Sequence, residues 1–281
     1  MTHILFDIGG TKTRVGISTD LKTIDKISSF KTPASFADGV KKILTTITEL
    51  TDDTPVAMAG GIRGLLTEDK SGIYNDSVLD KWAGKSLVAE LQKTHNVPVF
   101  LENDAAMAGV GEAVFGAGKG LDIIAYHTVS TGVGGVKIEH GEIDESSTGF
   151  EPGHQVLDID RTILGEEIVP TLENLVSGTA VEQRFGVKAY EIPQSDVLWN
   201  ELAEYLAQGL RNTILYWSPD AIILGGSMII GDPAIPIDMI RKSTVEALDG
   251  FVPAPLITTA KLGDEAGLYG AMAILKKRLK L

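Results

Sequence analysis

The pattern that most restricts how this chain folds occurs near its start and again near its middle. It is an apolar run, a glycine turn carrying hydroxyls, and a second run of alternating character. His3-Ile4-Leu5-Phe6-Asp7-Ile8 passes through Gly9-Gly10-Thr11 into residues 12–18, and residues 122–129 pass through Ser130-Thr131-Gly132 into residues 133–139, closed by His140-Gly141. Each reads as a β-hairpin. The recurrence predicts a duplicated architecture of two lobes, each opening on strand, turn and strand. A chain of 281 residues is long for one hydrophobic core, and 43% hydrophobic content with only 11 prolines supplies ample apolar area for two. The glycine breaks around residues 116–120 make the best boundary.

Between these hairpins, residues 24–30, 56–59 and 97–101 read as strands, and 36–50 and 85–95 as helices. Leu198, Leu202, Leu206, Leu210 and Ile214 recur every four residues, which predicts a long helix capped by Ser195 and ended by Ser218-Pro219. A buried strand at 221–224, a turn at Gly225-Gly226, a helix from about 235 to 248 and a last helix from Asp264 complete an α/β chain.

The formal net charge of −13, from 38 acidic and 25 basic residues, repels polyanions, so nucleic acid is a poor partner. Lys276, Lys277, Arg278 and Lys280 cluster at the end of the last helix, where they complement its carbonyl terminus. There is no cysteine, which excludes disulfides, thiolate metal sites and cysteine nucleophiles. No run approaches the roughly 20 apolar residues of a membrane span. The early strand gives no sign of a cationic leader, and a cytoplasmic enzyme is the expectation.

Asp7 at a strand end, two glycines, Thr11 and Lys12 form the kind of turn that lets backbone amides approach a phosphate chain, with Asp7 facing its metal directly or through water. A plain hairpin turn uses the same residues. A second turn, Ser130 to Gly135, offers the same chemistry, and two such turns in two similar lobes would face each other across a cleft and hold a nucleoside triphosphate. In Leu101-Glu102-Asn103-Asp104, a strand delivers Asp104 to a helix N-terminus, which favours its ionised form and suits a general base. Asn103 or Asp104 acting simply as a helix cap is the alternative. Glu151, His154 and Glu173 can exchange hydrogen bonds with vicinal hydroxyls, or be solvated loop residues. Ile222-Ile223-Leu224-Gly225-Gly226-Ser227 repeats the strand-then-glycine device and suits either an adenosine or a turn with positive φ. His3, His95, His127 and His140 lack partners nearby in sequence and read as structural.

In this order the segments resemble the ROK family of sugar kinases and repressors, whose fold belongs to the hexokinase and actin group. DIGGTKT at 7–13 looks like its first phosphate motif, STGVGG at 130–135 its second and LGGS at 224–227 its adenosine motif. GIRG at 61–64 is similar to the family's GIPG, ENDA at 102–105 matches the segment of the catalytic aspartate, and GDEAGLYGA at 263–271 resembles the closing helix that packs back onto the first lobe. The resemblance implies a two-lobed actin-like ATPase (ribonuclease H-like) fold, mixed sheets flanked by helices, with 1–115 plus 265–281 as one lobe and 116–264 as the other. It implies Asp104 as catalytic base. Asn103, Glu151, His154, Glu173 and Gly61 become sugar contacts, and Asp7 the magnesium site. Gly9, Gly10, Thr11, Lys12, Thr131, Gly132, Gly225 and Gly226 become nucleotide contacts.

The family's usual structural zinc is held by the histidine of the Glu-x-Gly-His element and three cysteines, and this chain has no cysteine. We therefore expect no zinc, and a loop between His154 and Glu173 held by other means. Pro152 and Arg63 are further departures that bear on substrate choice.

By this resemblance the expected activity is transfer of the terminal phosphoryl group of ATP, with Mg²⁺, to a hydroxyl of a hexose, glucose being the first candidate. A cytoplasmic homodimer is implied, with no membrane or nucleic-acid partner. The alternatives are a nucleotide-binding ATPase of the same family and a sugar-sensing protein without kinase activity. Repressors of the family carry a DNA-binding domain ahead of the first strand, and the early position of Asp7 argues against one.

Overall fold

In the computed structural model, which describes Met1–Leu281 throughout, the chain divides into Met1–Phe115 with Asp264–Leu281, and Gly116–Gly263. The first unit begins with β1 (Thr2–Ile8), an apolar run covered on both faces, as suits the central strand of a mixed sheet. Its side chains alternate: Ile4, Phe6 and Ile8 join one core and Leu5 the other. β2 (Lys12–Ser18) folds back antiparallel on β1, and β3 (Lys26–Lys31) extends the meander. α1 (Phe36–Leu50) starts where the Ser35 hydroxyl accepts from the Asp38 amide, and it buries Phe36, Val40, Ile43, Ile47 and Leu50 along one face.

β4 (Pro55–Ile62) then runs parallel to β1. A short hairpin, β5 (Leu65–Leu66) and β6 (Ile73–Asn75), precedes α2 (Leu87–His95), which is capped by Ser86 and ended by Asn96 at φ 51°. β7 (Val99–Asn103) lies parallel to β4 and feeds α3 (Asp104–Val114). The strand order is β3-β2-β1-β4-β7.

The second unit repeats that order with different residues. β8 (Ile123–Val129), β9 (Val133–Glu139) and β10 (Glu142–Ile143) form an antiparallel meander, and β8 is flanked on its other side by parallel strands. The intervening chain holds α4 (Leu172–Val176), α5 (Gly178–Phe185) and α6 (Leu198–Trp217). β11 (Ala221–Gly225), α7 (Ser227–Ile230), α8 (Ile237–Leu248) and β12 (Leu256–Thr259) complete it. The order β10-β9-β8-β11-β12 matches the first unit pairing for pairing. The duplication read from two hairpins thus extends to two whole five-stranded sheets.

Some boundaries differ from the sequence expectation. α6 starts at Leu198 and not at Ser195; the Asp196 carboxylate accepts from the Leu198 amide at 2.9 Å and takes the role expected of the serine. α8 starts at Ile237 because Pro236 stands at its cap and Ile235 is buried ahead of it. His127 is buried and shares a 3.1 Å hydrogen bond with the Thr213 hydroxyl. Burial pushes its imidazole down to about 4, so it belongs to the core as a neutral ring. No helix is long and apolar enough to cross a membrane.

The last helix, α9 (Ala266–Arg278), returns to the first unit and packs on α3. Two glycines permit this. A Cβ on Gly270 would stand 1.8 Å from the Met107 carbonyl oxygen, and one on Gly111 2.2 Å from that of Ala266. The backbones therefore touch without side chains between them, and Leu268, Ala271, Met272 and Leu275 reach the core under β1 and β4. Gly270→Ala is expected to force the helices apart at a cost of about 2–3 kcal/mol, read as a lower thermal unfolding midpoint.

Candidate active site

β1, β4 and β7 are adjacent and parallel, and they end level with one another: Ile8 is beside Ile62, and Ile62 beside Asn103. Loops leaving the carboxyl ends of such strands form the usual ligand edge of an open α/β sheet. The Gly9 amide donates to the Lys12 carbonyl at 3.0 Å and closes the first glycine turn. Thr32 braces this turn, its amide donating to the Thr11 carbonyl and its hydroxyl to the Gly9 carbonyl at 2.7 Å. A Cβ on Gly10 would meet Val78 Cγ1 at 2.9 Å. Thr11 and Lys12 are exposed at the tip.

Asp7 and Asp104 lie on either side of Gly61. A Cβ there would come within 3.0 Å of the Asp104 Cα and 3.5 Å of Asp7 Oδ1, so the missing side chain is what lets the two acids approach. On its other flank, Asp7 Cγ lies 2.8 Å from where a Cβ of Gly267 would stand, at the start of α9. Across the β1–β2 pair Arg14 reaches Asp7 Oδ2 at 3.4 Å and also pairs with Asp264. Burial, then the Asp104 charge, raises the Asp7 carboxyl to about 7, although Arg14 works against them.

Asn103 is the N-cap of α3: its Oδ1 accepts from the Ala105 and Ala106 amides at 2.9 and 3.2 Å, and its Nδ2 donates to the Gly64 carbonyl. Asp104 Oδ1 also accepts from the Ala105 amide, at 2.9 Å. The sequence led us to expect that the helix terminus would favour ionisation of Asp104. Burial outweighs that contribution and the pull of Arg63, so its carboxyl sits above the ordinary carboxylate range. A carboxylate made more basic in this way is a better proton acceptor.

In the second unit the turn between β8 and β9 is the centre. The Val133 amide donates to Glu173 Oε2 at 2.7 Å, and a Cβ on Gly153 would lie 2.2 Å from the Val133 carbonyl oxygen. Glu173, at the start of α4, and the Glu151-Pro152-Gly153-His154 turn therefore pack on the same strand end as Thr131 and Gly132. Gly226, at φ 87°, lies against the Val129 backbone, where a Cβ would come 2.3 Å from its carbonyl oxygen. Ser130 and Ser227 hydroxyls meet at 3.0 Å. Within this unit the structure brings Thr131, Gly132, Glu173 and Gly226 to one strand end with the backbone of the Glu151–His154 turn, while the Glu151 and His154 side chains are exposed and Gly225 lies against Tyr126.

Residues 155–171 have little regular structure, and polar groups hold them. Asp158, buried, accepts from the amides of Thr162, Ile163 and Leu164 at 3.1, 3.1 and 2.8 Å. Burial works to raise its carboxyl, but these amides hold it below the ordinary range. The Leu157 amide donates to the Pro170 carbonyl, Leu172 to Gln155, and Leu164 joins the core. Sequence reading gave no role to Asp158, Thr32 or Arg14, and it named Asp264 only as the start of the last helix. Only Arg14 left a signal, a charge between buried neighbours in a strand.

A sequence model of the ROK family matches residues 4–278. The chain is 27% identical over 307 residues to a glucokinase from Thermotoga maritima, covering 97% of this chain and 96% of that protein. It is 28% identical over 224 residues to a fructokinase from Pediococcus pentosaceus, covering 76% of each. It resembles the crystal structure of a ROK family glucokinase from Streptomyces griseus in complex with glucose and AMPPNP, at TM-score 0.80 and 25% identity, with 99% of this chain and 100% of that one covered. The fold is the actin-like ATPase architecture, with mixed sheets flanked by helices.

The raised Asp7 carboxyl fixes a direction. Between about pH 4 and 7 the folded protein keeps a proton that the unfolded chain has released, so stability falls as pH rises through that window. In metal-free protein the loss is on the order of 4 kcal/mol, and Asp7→Asn is expected to flatten the slope of the unfolding midpoint against pH. Asp158→Ala leaves the Thr162, Ile163 and Leu164 amides without an acceptor. Limited proteolysis is expected to cut this variant within residues 155–171 roughly tenfold faster than wild type.

Proposed function

Because the chain belongs to the ROK family, we propose that it is an ATP-dependent kinase acting on a hydroxyl of a hexose. The observation that carries the reading is the pair of largely buried acids, Asp7 and Asp104, separated by Gly61 at the strand ends that also carry the glycine turn. Relatives named glucokinase and fructokinase support the class, and glucose is the first sugar to test.

In this reading the sugar hydroxyl gives its proton to Asp104 while its oxygen bonds to the γ-phosphorus. The bond from that phosphorus to the β–γ bridging oxygen breaks, and its electron pair leaves with ADP. Burial keeps Asp104 basic enough to accept the proton. Gly9, Gly10, Thr11 and Lys12 take the phosphates, with Thr131, Gly132, Gly225 and Gly226 as the second unit's nucleotide contacts. Asn103, which keeps a second N–H on Nδ2, is assigned to the sugar together with Gly61, Glu151, His154 and Glu173.

Asp7 fits a magnesium ion: a hard cation needs only one or two carboxylates beside substrate phosphates, and it would offset the burial and the Asp104 charge that raise this carboxyl. When bound, the ion neutralises phosphate charge. No zinc role is assigned. A cytoplasmic homodimer belongs to the same reading.

The test is ADP release measured across a hexose panel, with and without each sugar. Release that depends on one sugar and on Mg²⁺ is expected, and zinc chelators should leave it unchanged. Release indifferent to every sugar would point to an ATPase. Asp104→Asn is expected to lower kcat by roughly 10²–10⁴-fold with sugar binding retained, and undiminished turnover would remove Asp104 from the role.

A further inference from the structure

The strand ends place one more group beside the two acids. Because β1, β4 and β7 are adjacent and level, the residues after them emerge side by side in the order Gly9, Arg63, Asp104. The Arg63 amide donates to the Ile8 carbonyl at 2.9 Å, which fixes its backbone against β1. Its stem runs along the glycine turn, where a Cβ on Gly10 would stand 3.4 Å from Arg63 Cδ. Its Nε donates to Asp76 Oδ2 at 3.0 Å.

Asp76 is itself immobilised. Its Oδ1 accepts from the Val78 and Leu79 amides at 2.8 and 2.6 Å, and its side chain is only 7% exposed. The guanidinium is thus oriented from one edge, while its terminal nitrogens make no hydrogen bond within the chain. Of the other cations near the turn, Arg14 pairs with Asp7 and Asp264, while Lys12 stands at the exposed tip, its Nζ 3.8 Å from the exposed Asp264.

We infer that Arg63 binds the phosphoryl group in transit, its terminal nitrogens donating to the γ-phosphoryl oxygens between the Gly9-Gly10 turn and the hydroxyl at Asp104. This rests on the kinase reading above. In the transfer the bond from the γ-phosphorus to the β–γ oxygen breaks, the bond to the acceptor oxygen forms, and the acceptor proton goes to Asp104. Charge spreads over three equatorial oxygens, and a planar fork of N–H donors matches two of them at once. Arg63 adds a cation beside Asp76 and Asp104, where an incoming anion otherwise meets carboxylates.

Arg63→Ala and Arg63→Lys, compared with wild type in steady-state ADP release, test the assignment. Arg63→Ala is expected to lower kcat about 10²–10³-fold while both KM values stay within about threefold. Millimolar guanidinium should restore part of the rate to that variant and none to wild type. Arg63→Lys keeps the stem and the charge but loses the fork, and it should recover no more than about a tenth of the wild-type rate. A kcat within about threefold of wild type, a loss confined to the KM of the sugar, or a slow variant that guanidinium does not rescue overturns the assignment. If wild type releases ADP without any sugar, the sugar-kinase reading fails, and the same variants decide Arg63 on that rate. A wild type with no turnover overturns both.

Discussion

Two carboxylates buried close together at the ends of parallel strands are costly, and much of the first unit is arranged around them. Asp7 and Asp104 approach because Gly61 has no side chain, and Asp7 clears α9 because Gly267 has none. Arg14 offsets the charge of Asp7 from the neighbouring strand, and Arg63 that of Asp104 from the strand between. Burial still wins over both, so the acids are held in a state that a bound cation would relieve. Catalytic groups with shifted proton affinities arise from this kind of conflict between folding and function.

The duplicated sheet gives the same backbone frame twice, and the two copies have been filled differently. In the first unit the turn after β1 is flanked by acids and arginines. In the second, the turn after β8 is flanked by hydroxyls and glycines, with Ser130 against Ser227 and Gly226 against Val129. Val133 links that turn to α4 and to the Glu151–His154 turn, since its amide donates to Glu173 and its carbonyl packs on Gly153. A single strand end thereby sets the position of groups that lie far apart in sequence.

The stretch from Gln155 to Thr171 shows how a loop without cysteine is organised. One buried carboxylate, Asp158, gathers three successive amides, and hydrogen bonds between the two ends of the loop close it. A charged acceptor serving several N–H donors is among the stronger local devices available to a chain. It ties down part of the segment between His154 and Glu173.

Much of this was written in the residues themselves. The two hairpins, the amphipathic helices and the glycine turns follow from local periodicity and from the need of close backbone approach for small residues, so a sequence determines them directly. Asp7 at the end of the first strand, Asp104 within ENDA and the departure at Arg63 were visible as well. What only the tertiary structure decided is which groups meet. Strand register levelled Gly9, Arg63 and Asp104, helix packing brought Asp264 and Gly267 to Asp7, and loop closure made Asp158 an anchor. Proton affinity followed the same division: the helix start at Asp104 is a local feature, but the burial that outweighs it depends on distant chain segments, which no local pattern encodes.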